Sequence, residues 1–349
     1  MGERGRPVTA PATVAPWLVS ARTDLYLVFV LGAVWSGAAV ASVVLGSGFL
    51  LVAALFAVLA DFPHVLQTTL RVWLDPGERL RHGRHYLLSF VVIGAAVGTL
   101  AFLGRFVVVV AVFLGWQILH VVKQHIGMVS VYAAKAGYRG SRAWAKRALV
   151  LGCLAPVLYR AAHGVRFGDY VVGGRHLPFS GLSLPLPPIP APLVWMAYAA
   201  AAVAVAVFVR EQVRRWRAGP ATLPPVALLT IGVAIAFYNG SYLLLSDPYA
   251  LTLIATTFHS LQYHLISWAR NRGASADPDE VLARLSRPRA LLALAAVLVV
   301  PGVLLSAGEF VFLGVLPFTV VLHHFYLDGV LWKPRTNPGL AAALSLRPA

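Results

Sequence analysis

Ten apolar runs, each near the length of one bilayer crossing, leave this chain little choice but a bundle of membrane helices. Taking about 20 residues per crossing, they fall at Leu25–Leu45, Phe49–Leu70, Tyr86–Leu103, Phe106–His125, Ala143–Tyr159, Leu193–Val209, Val226–Leu245, Ala250–Trp268, Ala290–Ala307 and Phe310–Asp328. A chain that is 59% hydrophobic and 12% charged lies far outside soluble composition. Backbone groups in lipid must be satisfied within the segment, so the expected fold is all-α, a polytopic transmembrane helical bundle of about ten helices.

The charge pattern orients it. Basic residues gather in the N-terminal stretch, at Arg71–Arg84, Lys135–Arg147, Arg210–Arg217, Arg270–Arg289 and Lys333–Arg335. The alternate connections, Gly46–Gly48, Gly104–Arg105, Ser246–Pro248 and Gly308–Glu309, carry little charge, and Arg160–Pro192 reads as an extracytoplasmic loop. Both termini are therefore expected in the cytoplasm. The organisation that follows is a cytoplasmic tail over 1–24, one transmembrane domain over 25–332 and a second tail over 333–349. The expected location is the inner, cytoplasmic membrane of a bacterium. The net charge of +16 is spread through short loops rather than along one face, so it marks topology and not nucleic acid.

Histidines are the unusual residues. Most of the eleven gather late in runs two, four, eight and ten, in LADFPHVLQTTLR, GWQILHVVKQHIG, TTFHSLQYHLISW and VLHHFYLDGVLWK. All four runs point from outside to inside, and counting at about 1.5 Å per residue puts His64, His120, His264 and His323 roughly 20 Å in, at one level near the inner leaflet. His125 and Asp328 form a next layer. Ionisable groups inside a membrane are costly and face the bundle interior. Their convergence points to a bound metal, with His64, His120, His125, His259, His264, His323, His324, Asp61 and Asp328 as candidate ligands.

Spacing qualifies the pairs. Asp61 and His64 share a helix face at i, i+3, and Pro63 between them should kink the helix. His324 and Asp328 are four apart, so Asp328 ligates or orients an imidazole. His120 and His125, like His259 and His264, are five apart, about 140° around a helix, so both members of a pair cannot face one ion without a π-bulge or a frayed end. His259 lies higher than the rest, and a core or tunnel role stays open for it. His82 and His85 fall in a basic loop, His163 and His176 in the outer loop. Arg71 is expected to reach the headgroups, and Trp116, Trp268 and Trp332 to mark the inner interface. One cysteine, Cys153, excludes a thiolate cluster. Imidazole suits iron, copper, zinc or nickel, and so many donors point to two ions or a second shell.

The H-x4-H pairs His120/His125 and His259/His264, with the adjacent His323–His324, resemble the histidine boxes of integral-membrane di-iron desaturases, hydroxylases and alkane-type monooxygenases. The resemblance covers about twenty residues. It implies an oxidoreductase with two iron ions held by imidazoles, acting with O2 on a C–H or C=C bond of a lipid-soluble substrate by hydroxylation, desaturation or oxidative cleavage. The first two reactions would draw electrons from a cytoplasmic donor; an acidic ferredoxin would suit the basic inner face. Intramembrane placement nominates Tyr263, Tyr326 and Asn239 as cavity residues, with Asp61, Tyr263 and Tyr326 as the catalytic candidates. Two other classes remain open, a divalent-metal transporter and a haem-binding electron carrier. There is no HExxH, G-x-S-x-G or P-loop.

Overall fold

The computed structural model describes residues 16–172, 174–176, 179–184, 186–219, 222–274, 311–334 and 337–346, with isolated positions between 287 and 297. Its helices are α1 (Ala21–Val44), α2 (Phe49–Leu74), α3 (Pro76–Phe102), α4 (Phe106–Lys135), α5 (Ala143–His163), α6 (Ala191–Ala218), α7 (Pro225–Leu244), α8 (Pro248–Ala274), α9 (Val311–Leu331) and the short α10 (Pro338–Ala343). The only strands among the described residues are the two-residue pair β1 (Val171–Val172) and β2 (Arg175–His176). Among the described residues seven helices, α1–α4, α6, α7 and the Gly314–Leu331 part of α9, are long and apolar enough to cross a membrane. The expected run Ala290–Ala307 lies almost entirely outside the described residues.

Several helices run past the apolar segments that announce them. Arg71–Arg84 is not a loop: α2 continues to Leu74 and α3 starts at Pro76, so His82 and His85 are helical. Asp75 makes this possible by accepting the Glu78 N–H at 3.1 Å, with Pro76 pre-set for the first turn. The basic stretch Arg210–Arg217 is likewise the last turns of α6. The segment read as a C-terminal tail contributes α10, whose Leu340, Ala343 and Leu344 are buried against α8.

Helix α8 is the axis of the bundle. It packs against α1, α2, α4, α7 and α10, and nearly every side chain from Ala250 to Ser267 is buried. That explains its mixed composition: a helix surrounded by helices carries its Thr, Ser, Gln and His toward partners instead of lipid. Glycine lets one neighbour come close. A Cβ at Gly32 of α1 would collide with the Phe258 ring of α8.

The helices that carry the inward histidines run in one direction. Gln117 and Gln124 of α4 bond the carbonyls of Thr252 and His259 of α8, an unchanging offset that requires parallel helices in register. On α2, Asp61, Gln67 and Thr68 meet Ser260, His264 and Tyr263 in the same sense. Helix α9 runs antiparallel to α3, with Ser89 beside His323 and His85 beside Tyr326, and is therefore parallel to α2.

At one end of the bundle Gly168 and Tyr170 are pinned over the α7–α8 turn. Asp247 accepts the Tyr170 hydroxyl at 2.6 Å and the Gly168 and Tyr249 N–H groups at 3.2 and 3.1 Å. Burial and the adjoining Asp247 carboxylate push the Tyr170 phenol above its ordinary value. At the other end Arg270 pairs with Asp75 at 3.0 Å, and Lys135 donates to the Leu344 carbonyl at 3.2 Å.

Candidate metal centre

Helix α2 is distorted where it enters the site. Residues Ala57–Asp61 form a π turn in which the Phe62 N–H reaches back five residues to the Ala57 carbonyl. Pro63 accounts for it: without an N–H, and with a ring that crowds the preceding turn, it disfavours regular α-helix just before it. The extra residue re-aims Asp61 and His64 and leaves the Ala60 carbonyl accepting from His264 Nε2 at 2.9 Å.

Four imidazoles from four helices then meet. His64 (α2) lies 4.9 Å from His259 (α8) and 4.8 Å from His324 (α9), ring centre to ring centre; His120 (α4) lies 4.7 Å from His259 and 5.3 Å from His324. Asp328, one turn beyond His324, brings Oδ2 to 3.7 Å from His120 Nε2 and 3.6 Å from His324 Nε2. Donor atoms of His64, His259 and His324 lie within 4.8 Å of one another, as do those of His120, His324 and Asp328.

The cluster is closed from solvent: relative exposure is 2% for His64, 7% for His120, 1% for His259, 0% for His324 and 9% for Asp328. Yet many of its polar atoms lack hydrogen-bond partners. Both nitrogens of His64 and of His259, Nε2 of His120 and of His324, and Oδ2 of Asp328 are all orphaned. A buried polar group left unpaired costs about 1–3 kcal/mol, and buried polar atoms are nearly always satisfied. Each of these five side chains can offer one such atom to a shared ligand, and imidazole with carboxylate is the donor set of a transition metal.

The outward sides are well supported. Thr68 Oγ1 meets Asp328 Oδ1 at 3.0 Å, His324 Nδ1 at 2.9 Å and the Tyr263 hydroxyl. Ser260 donates to Asp61 Oδ1 at 2.9 Å, and that oxygen stands 3.5 Å from His64 Nδ1. Phe325 stacks on His120 at 4.5 Å and continues through Phe113 and Phe318 as an aromatic wall between α4 and α9.

The remaining sequence candidates lie elsewhere. His264 has both nitrogens engaged, Nε2 on the Ala60 carbonyl and Nδ1 on Gln67 at 3.1 Å. His125 Nδ1 bonds Gln262 at 2.9 Å, and His323 Nε2 bonds Ser89 at 3.1 Å. So of the four imidazoles expected to share one level, the structure brings in His64 and His120, while His259 and His324 take the places expected for His264 and His323. Helix α8 starts beneath the connection that holds Gly168 and Tyr170, where Asp247 is buried, so an earlier residue reaches the common depth. Within each five-apart pair only one member, His120 or His259, faces the centre.

Tyr263 is 1% exposed and sits behind Thr68. Tyr326 instead bonds His85 on the α3 side, and Asn239 clamps α7 to α5 through the Gly152 carbonyl at 2.9 Å, so neither lines the centre. Arg71 does not reach outward: it is 5% exposed, lies 4.6 Å over Trp332, and has Nε and Nη1 unpartnered. Trp116 packs on Phe325. Outside, His163 bonds the Tyr159 carbonyl and His176 bonds Asp169. Thr68 and Ser260 are what sequence reasoning missed. Thr68 stands four residues after His64, one turn along the same face, which is the signal that marks it.

No described protein family, curated protein or solved structure matches this chain.

Proposed function

We propose that this chain is an integral-membrane metalloenzyme in which His64, His120, His259 and His324, together with Asp328, hold iron, and that it acts with O2 on a lipid-soluble substrate. The observation that carries the reading is the convergence of four imidazoles from four parallel helices with their inward nitrogens orphaned. The donor set fits the metal: neutral imidazoles and one carboxylate, no thiolate. The geometry favours one ion. The two donor groups share His324, and with Nδ1 on Thr68 that imidazole has a single nitrogen to offer. His264, with both nitrogens engaged, has none for a second ion.

Bound iron would supply activation of O2. The chain supplies the rest: burial that excludes water, hydroxyl and carboxylate partners that hold the ligands, and the Phe113, Phe318 and Phe325 wall, which offers apolar surface to a hydrocarbon. Access from the bilayer suits such a substrate. Hydroxylation and desaturation would call on a cytoplasmic electron donor, and oxidative cleavage would not. We assign the end bearing Asp75, Lys135 and Arg270 to the cytoplasm of a bacterial inner membrane, on the strength of its basic connections. The nearly complete burial of the cluster argues against a transport path open to both sides.

The test is oxygen uptake by Fe2+-loaded protein in detergent, offered saturated and polyunsaturated hydrocarbons with and without a reduced ferredoxin. Uptake that depends on His324 and yields an oxidised hydrocarbon supports the proposal. Metal flux through the protein in liposomes, without oxygen uptake, overturns it.

A further inference from the structure

Resting on the metal-centre reading, we infer that Thr68 is the positioning residue that fixes the His324 tautomer and the Asp328 carboxylate, and so sets the affinity of the centre. The argument is a count of protons. A threonine hydroxyl has one proton to donate and two lone pairs with which to accept. Thr68 Oγ1 has three partners, Asp328 Oδ1 at 3.0 Å, His324 Nδ1 at 2.9 Å and the Tyr263 hydroxyl. A carboxylate acting as a metal ligand is ionised and can only accept. The single hydroxyl proton therefore goes to Asp328, and the other two contacts must be donated to Thr68 by Tyr263 O–H and His324 Nδ1–H.

That assignment leaves His324 Nε2 without a proton. Its lone pair lies 3.6 Å from Asp328 Oδ2, and neither atom has a hydrogen-bond partner. Two acceptors aimed at each other inside a buried site repel, and a cation between them turns the repulsion into ligation. His120 Nε2, also unpartnered, stands 3.7 Å from the same oxygen. Thr68 thus controls two donor atoms from a helix that contributes a third, His64. Tyr263 differs in kind: its removal takes one donor from Thr68 but does not redirect the Thr68 proton.

The test is Co2+ titration of the purified full-length protein, followed by visible absorption, for wild type, Thr68→Val, Thr68→Ser and Tyr263→Phe. Loss of such a supporting partner weakens metal binding about 10–100-fold, so Thr68→Val falls by that factor, while Thr68→Ser and Tyr263→Phe stay within about threefold of wild type. Wild-type affinity in a folded Thr68→Val overturns the inference and leaves the metal centre standing. A wild type that takes up no Co2+ removes the metal reading and the inference with it. A second measurement needs no Thr68 variant. In Zn2+-loaded wild type labelled with 15N-histidine, His324, assigned by its loss in His324→Gln, should carry its proton on Nδ1; a proton on Nε2 contradicts the inference.

Discussion

His324 and Asp328 stand one turn apart on α9, with Nε2 of one 3.6 Å from Oδ2 of the other and no hydrogen-bond partner for either atom. Too long for a hydrogen bond, the gap is suited to an ion that both atoms touch. Asp328→Asn keeps the shape and removes the charge. Fe2+ affinity, measured by competition with a chelator, should fall by more than the roughly 10–100-fold that loss of a ligand's supporting partner costs, with a native circular-dichroism spectrum. Unchanged affinity would make Asp328 a structural partner of Thr68 only.

The histidines divide by what their nitrogens already do. His259 has neither nitrogen engaged, whereas His264 has both. His259→Gln should abolish stoichiometric metal while His264→Gln retains it at some cost in stability, since removing one buried hydrogen-bond partner costs about 1–3 kcal/mol. Metal content beside a thermal melt separates the two effects. The reverse order would move the centre to His264.

Close approach of α1 and α8 places Phe258, the neighbour of His259, over Gly32. Gly32→Ala drives a methyl into that ring, and overpacking of this kind costs about 1–3 kcal/mol. The melting temperature should drop, and Gly32→Ala/Phe258→Leu should recover most of it. A Gly32→Ala protein as stable as wild type would show that the ring moves freely.

The connection through Tyr170 carries a pH dependence. Tyr170 titrates above its ordinary value of 10.0 in the folded protein, through burial and the Asp247 carboxylate. Below that value both folded and unfolded chains hold the phenolic proton, and stability is unaffected. As pH rises past it, the unfolded chain loses the proton first, so stability should decline toward the folded value. Tyr170→Phe should flatten the decline between pH values of about 10 and 12 in thermal melts. An identical alkaline slope in the variant would contradict this.

Much of the architecture was legible in the sequence, because lengths of apolar runs and the alternation of basic connections are direct consequences of a bilayer. The common direction of α2, α4, α8 and α9 followed from counting crossings, and the limit on the five-apart pairs from helix geometry. What the sequence could not show is how each helix is rotated about its axis. Whether His323 or His324 faces inward is a choice between neighbours about 100° apart, settled by Ser89 on α3. His259 replaces His264 because the α8 start is buried beneath the connection that holds Gly168 and Tyr170, a tertiary contact with no local signal. Helical continuity through His82 and His85 was obscured by the arginines around them, which are compatible with helix once Asp75 and Pro76 start it.

The most direct test of the central claim is metal analysis of the anaerobically purified protein beside His64→Ala, His120→Ala, His259→Ala and His324→Ala. The account predicts about one iron per wild-type chain and near-complete loss in each variant, as expected when every ligand of a shared ion is needed. A folded, metal-free wild type that takes up no added iron, or variants that keep a full complement, would contradict it.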